Sequence, residues 1–297
     1  MIEAQKLNFR YASGFCIKDL DLAVHRGAIV GFIGRNGAGK TTVIRMLLGL
    51  QKPESGSIVF EGKVLSRVAL ARIGFLIERP AIYDHLTAAE NLRVSCALLK
   101  LPLSHITDAL ALADADFGAK QVRHFSVGMR QKLGFALAVL RKPALLLLDE
   151  PLTGLDPQSS QDMLGTIQRF AAQGGAVLFS CHQLHEVEQI ATDVAIIDHG
   201  QIRYRGSAAA LRACAGWYVR CASATAALEA LSRCNIAASA ADHGVHVAAS
   251  ESIALAIKML VAANVDIYEV VQNSTLSQLF FGIVNEKGAA YAGTTSG

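Results

Sequence analysis

The sequence predicts an α/β chain in two parts: a core of buried strands and amphipathic helices to about Arg205, then a small α+β unit. Three observations carry this. An apolar run, Ala28–Ile33, leads through a glycine-rich loop into the helical spacing of Thr42–Leu48. Short apolar strands then alternate with amphipathic helices as far as Arg205. Beyond Arg205 the composition changes, and alanine dominates from Ala208 to Ser250. A chain of 297 residues, 52% of them hydrophobic, can bury a large core and is expected to hold two domains.

In chain order, Ile29–Ile33, Ile73–Ile77, Leu145–Leu148, Ala176–Ser180 and Val194–Ile197 read as strands. Several are apolar on both faces, as strands inside a parallel sheet should be. Helices are predicted over Ala88–Leu99, Ser104–Leu112, Val127–Leu140 and Pro157–Ala171, and Pro157 suits a first helical turn. The second part reads strand Tyr218–Cys221, helix Thr225–Ser232, strands Ile236–Ser239 and Val245–Ala248, helix Ile253–Val261 and strand Ile267–Val271. That βαββαβ order is the ferredoxin-like arrangement, with an irregular helical tail as the alternative. Gly288–Gly297 has the composition of a disordered tail.

The loop Gly34-Arg35-Asn36-Gly37-Ala38-Gly39-Lys40-Thr41-Thr42 fits G-x-x-x-x-G-K-[ST]. Glycines leave backbone N–H groups free to close around phosphate oxygens. Lys40 supplies a point charge for the β- and γ-phosphates, and the Thr41 hydroxyl can ligate Mg²⁺. The phosphates would lie at the positive end of the following helix.

Two further segments extend the chemistry. Ala144–Leu148 is an apolar strand ending in Asp149 and Glu150. Beside a phosphate loop, Asp149 would reach Mg²⁺ and Glu150 would polarise an attacking water; the alternative is an acidic cap after a core strand. Phe125-Ser126-Val127-Gly128-Met129-Arg130-Gln131 opens a helix, where Ser126 can serve as N-cap or help grip an anion.

These motifs, in this order, resemble the nucleotide-binding subunit of an ATP-binding cassette (ABC) transporter over about Ile2–Gly206. The resemblance implies a P-loop ATPase core with a helical subdomain at about 79–141, an accessory domain at 207–287 and a tail at 288–297. It implies ATP and Mg²⁺ as ligands. Gly34–Thr42 matches Walker A, Leu145–Asp149 Walker B, and Glu150 the catalytic glutamate. Asn36, Gly37, Ala38, Gly39, Lys40, Thr41 and Thr42 would hold the nucleotide, and Ser126 and Gly128 match the signature. Asp156 matches the D-loop aspartate and could also cap the helix at Pro157; His182 matches the switch histidine or could cap a helix. Tyr11 matches the aromatic that stacks on adenine, with Phe9 or Phe15 as alternatives.

Two departures stand out. The signature reads Ser-Val-Gly-Met where the family has Ser-Gly-Gly-Gln, and Glu78 stands at the usual Q-loop glutamine. A carboxylate binds Mg²⁺ at least as well as an amide, so Glu78 is a third expected metal contact beside Thr41 and Asp149. The segments Leu76–Tyr83, Leu86–Leu92 and Ser274–Phe280 are similar to the bacitracin and lantibiotic self-protection group. This implies an exporter subunit that dimerises on ATP and drives a separate ABC-2-type transmembrane permease. The alternative is a soluble ABC ATPase acting on ribosomes or DNA.

Charge and apolar runs bound the rest. A net charge of +3, with no basic cluster interleaved with aromatics, gives no expectation of a nucleic-acid partner. The start, MIEAQKLNFR, lacks the apolar core of a secretory signal. Leu133–Leu140 and Ala144–Leu148 fall well short of the roughly 20 apolar residues of a membrane span. The expected location is cytoplasmic, held at the inner face of the cell membrane through the permease. Cys16, Cys96, Cys181, Cys214, Cys221 and Cys234 show no C-x-x-C spacing and read as reduced core thiols, with a structural zinc site as the alternative.

Overall fold

The computed structural model describes residues 1–77, 80–213, 216–272, 276–277, 279–280 and 283. Glu78, Cys214 and the tail at 288–297 lie outside them, as do Ser274, Thr275 and Gln278. The chain divides into two compact units, Met1–Gly206 and Ser207–Gly297.

The first unit opens on β1 (Ile2–Arg10) and β2 (Cys16–Val24), an antiparallel pair with Ile2 opposite Val24. Next come β3 (Ile29–Ile33), α1 (Lys40–Leu47), β4 (Ser55–Phe60), β5 (Lys63–Val64), α2 (Arg67–Leu70) and β6 (Ile73–Leu76). Three helices follow: α3 (Ala88–Leu99), α4 (Ser104–Ala113) and α5 (Val127–Val139). The unit closes with β7 (Leu145–Leu148), α6 (Pro157–Ala172), β8 (Ala176–Cys181), α7 (Leu184–Ile190), β9 (Asp193–Asp198) and β10 (Gln201–Ser207).

Two sheets result. The larger has the order β10-β9-β3-β8-β7-β6, and its inner pairs β3/β8, β3/β9, β7/β8 and β6/β7 are parallel. Strands β3, β7 and β8 are buried along their whole length, which is why their sequences are apolar without alternation. The smaller sheet, β2-β1-β4-β5, pairs antiparallel throughout. Strand–helix alternation alone does not anticipate this second sheet. β1 and β2 each carry one exposed face of Lys, Asp, Glu and Gln, and their pairing slips between Ala4 and Leu7. Half-exposed strands belong in an antiparallel sheet. The hydrophobic core joins both sheets through Leu7, Leu20, Phe32, Ile44 and Leu147.

Capping sets the helix starts. Thr87 and Glu90 form a reciprocal capping box on α3, and Asp156 caps α6 ahead of Pro157. Helices α3, α4 and α5 pack on one another.

The second unit runs α8 (Ala208–Ala213), β11 (Trp217–Cys221), α9 (Ala224–Arg233), β12 (Ala238–Ala241), β13 (Gly244–Val247), α10 (Ile253–Ala262) and β14 (Ile267–Gln272). From β11 the predicted βαββαβ order is the observed one. The sheet order β12-β13-β11-β14, antiparallel at every pair, is that of a ferredoxin-like fold. Val219, Leu231, Val245 and Leu260 form its core. Cys234 is exposed, so it is not the core thiol that was expected; Cys96, Cys181 and Cys221 are buried and unpaired.

Candidate functional site

The register of the larger sheet builds the site. Ile33 pairs with Cys181, and Leu148 pairs with Phe179 and with Leu76, so the carboxyl ends of β3, β6, β7 and β8 lie level. Open α/β sheets bind ligands at such ends. The glycine-rich loop leaves β3 there and turns into α1 at Gly39. Gly39 has φ 113°, and a Cβ on it would approach Ile17 to 2.6 Å and Phe15 to 3.0 Å. Gly34 is equally constrained: a Cβ there would lie 2.6 Å from the Ile197 carbonyl oxygen.

Lys40 is buried, and its ammonium is held from several sides. Nζ donates to the Gly34 carbonyl at 2.8 Å and the Arg35 carbonyl at 3.3 Å, and lies 3.3 Å from Glu150 Oε1. Next to it the Thr41 hydroxyl donates to Asp149 Oδ2 at 2.6 Å. Thr41 and Asp149 therefore present hard oxygens at one point, a donor set suited to Mg²⁺ completed by water and phosphate. Among the described residues no group of three His, Cys, Asp or Glu side chains could hold a metal by itself. Glu78, the other expected metal contact, lies outside the described residues.

Glu150 sits in the left-handed region at φ 47°, unusual for a residue with a side chain. Its amide is fixed by donating to Ser180 Oγ at 2.8 Å. Ser180, fully buried, donates in turn to Asp149 Oδ1 at 2.6 Å. The Glu150 carboxylate accepts from the Thr153 hydroxyl at 3.0 Å, and His182 Nδ1 stands 3.5 Å from its Oε2. Burial pushes the Glu150 carboxyl up. Lys40, the Thr153 hydroxyl and His182 outweigh that and hold it below the ordinary glutamate range.

Lys40, Thr41, Asp149, Glu150 and His182 are thus brought together by hydrogen bonds and ion pairs. Ser180 and Thr153 join them and were not singled out in the sequence. A cleft of ≈ 1420 Å³ opens over Lys40, Thr41, Asp149, Glu150 and Thr153; Asn36, Gly37, Gly39 and Thr42 line it, as do Tyr11 and Phe15. Ala38 is buried, and its carbonyl accepts from the Gly200 N–H at 3.0 Å. Tyr11 is half-buried, edge-on to Phe9, and its hydroxyl donates to Gln51 at 3.1 Å and lies 3.4 Å from Thr42 Oγ1.

The remaining candidates stand apart from the phosphate loop. Ser126 caps α5, its Oγ accepting from the Met129 N–H at 3.2 Å. Gly128 is buried against α6, where a Cβ would meet Ser159 Oγ at 2.7 Å. Val127 between them is 52% exposed and lines the cleft. Asp156 accepts from the Ser159 N–H at 2.9 Å and the Ser159 hydroxyl at 2.6 Å. The signature serine is therefore exposed on a helix start, with its backbone rather than the loop as partner.

The family described as "ABC transporter" matches residues 17–153. The lantibiotic transport ATP-binding protein SrtF of Streptococcus pyogenes is 36% identical over 203 residues, 68% of this chain and 89% of that protein. The bacitracin transport ATP-binding protein BcrA of Bacillus licheniformis is 40% identical over 208 residues, 68% of each chain. A solved ATP-binding subunit of an ABC transporter superposes with a TM-score of 0.63 at 29% identity, over 71% of this chain and 92% of that one. The cbiO1 structure from Clostridium perfringens, at TM-score 0.65 and 23% identity over 71% and 89%, shares the fold.

Proposed function

The chain belongs to the ATP-binding proteins of ABC transporters, and from that premise we propose that two copies close around Mg·ATP to drive a separate ABC-2-type export permease. The chain is an ABC-type ATPase. The supporting observation is the meeting of Lys40, Thr41, Asp149, Glu150 and His182 at the carboxyl ends of β3, β7 and β8.

ATP would enter the cleft with its phosphates over the loop and its base beside Tyr11 and Phe15. Lys40 would turn from the Gly34 and Arg35 carbonyls and from Glu150 toward the β- and γ-phosphates. Thr41 and Asp149 would hold Mg²⁺, which when bound neutralises charge on those phosphates. Glu150, released from Lys40 and still held by the Thr153 hydroxyl and faced by His182, would accept the proton of the attacking water. His182 would orient Glu150 and sense the γ-phosphate. Ser126 and Val127 are exposed at the start of α5, open to the nucleotide of a second copy.

Among the described residues no helix is long and apolar enough to cross a membrane. A permease would therefore supply the crossing. The relatives carry names of transport proteins, which favours this reading over action on ribosomes or DNA. Glu150→Gln tests the chemistry. Turnover should fall at least about a hundredfold while ATP binding persists, the scale of a lost general base. Wild-type turnover in that variant would remove Glu150 from its role.

A further inference from the structure

Ser180 and Cys181 are the last two residues of β8, where successive side chains face opposite sides of the sheet, and His182 follows the strand. Ser180 meets Asp149 and Glu150, so Cys181, one strand position on, faces the other side, while His182 just beyond the strand faces Glu150. Its buried thiol closes a small ring. Sγ has two acceptors in reach of its one proton, Glu186 Oε2 at 2.9 Å and the Gln183 carbonyl at 3.2 Å, of which the carboxylate is nearer and charged, and it accepts from the Gln183 N–H at 3.2 Å. Glu186, in the first turn of α7, is only 4% exposed, and the hydrolytic chemistry does not use it. Burial, then the Glu186 carboxylate, push the thiol far above its ordinary pKa, so it remains a protonated donor.

His182 is the residue this ring encloses. Its side chain is 41% exposed, and Nδ1 stands 3.5 Å from Glu150 Oε2. An exposed ring at that separation is aimed by the backbone on either side of it. We infer that Cys181 and Glu186 are positioning residues for His182: their contact pins the turn between β8 and α7, so the imidazole is presented to Glu150. Without the contact, a buried carboxylate loses its donor and α7 has reason to shift. The inference rests on the role of His182 proposed above.

The test is single-turnover and steady-state ATP hydrolysis by the full chain carrying Cys181→Ala, Cys181→Ser or Glu186→Met, each also combined with His182→Ala. Cys181→Ala and Glu186→Met should each lower kcat about tenfold while KM for ATP moves less than about twofold. Cys181→Ser, which keeps a donor toward Glu186, should stay within about twofold of the parent. In the His182→Ala background the same changes should cost nothing more, because they act through the missing ring. Equal losses in both backgrounds, failure of Cys181→Ser to restore kcat, or unchanged kcat in both single variants would overturn the latch. So would loss of ATP binding in both, which would make the pair a folding element. If His182→Ala alone leaves kcat unchanged, the role of His182 fails; if it lowers turnover while Cys181→Ala and Glu186→Met leave it unchanged, only the positioning role of Cys181 and Glu186 fails.

Discussion

Ser180→Ala removes a single oxygen from a position with no solvent exposure. Two groups lose their partner at once. Asp149 Oδ1 loses a donor at 2.6 Å, and the Glu150 amide loses an acceptor at 2.8 Å. Asp149 is 3% exposed, so water cannot easily take the place of the hydroxyl. Leaving a buried polar group unsatisfied costs about 1–3 kcal/mol. The two losses share one atom, so a combined loss of about 2–4 kcal/mol is expected rather than the full sum. Glu150 would also lose the contact that holds its left-handed backbone, and kcat should fall about tenfold through misdirection of its carboxylate. Urea unfolding followed by circular dichroism measures the first effect, as a shift in midpoint at constant slope. The single tryptophan, Trp217, lies in the second unit, so its fluorescence reports on that unit and serves as an internal reference. A loss below about 0.5 kcal/mol, typical of a surface change, together with unchanged kcat would refute the reasoning.

Two other perturbations separate structural from chemical roles. The Ser159 hydroxyl, then its backbone N–H, hold the Asp156 carboxyl below the ordinary aspartate range. Because that pKa is depressed, the charge stabilises above the unfolded value of about 3.9. The melting-temperature gap between the parent and Asp156→Asn should be steady well above that pH and close as pH falls through the folded-state value. A gap that persists in acid would deny the carboxylate its part. Thr41→Val removes one of the two oxygens proposed to hold Mg²⁺, so half-maximal turnover should need about tenfold more Mg²⁺. An unaltered Mg²⁺ requirement would exclude Thr41 as a ligand.

What was legible in the sequence follows from how far apart the cooperating residues lie. The phosphate loop packs its chemistry into nine consecutive positions between a buried strand and a helix, so spacing alone exposes it. β7 is equally plain, because burial on both faces demands four leucines in a row. The second unit was readable because α9 and α10 bury one stripe against short strands. Ser180 and Thr153 were not readable: a serine ending an apolar strand means nothing until β8 lies beside β7. The Cys181–Glu186 contact was hidden in the same way, by a turn whose closure no propensity specifies. The antiparallel sheet escaped because β1 pairs with β4 some fifty residues away, across slips in register.

Mixing two inactive variants tests whether a second copy completes the cleft. Lys40→Ala damages the phosphate loop, and Ser126→Arg blocks the signature. In a mixed dimer both defects fall on one site and leave the other intact. Each variant alone should be nearly inactive while an equimolar mixture recovers up to about a quarter of parental turnover, one intact site in half of the dimers. A mixture no more active than the sum of its parts would contradict it, placing the whole site within one chain.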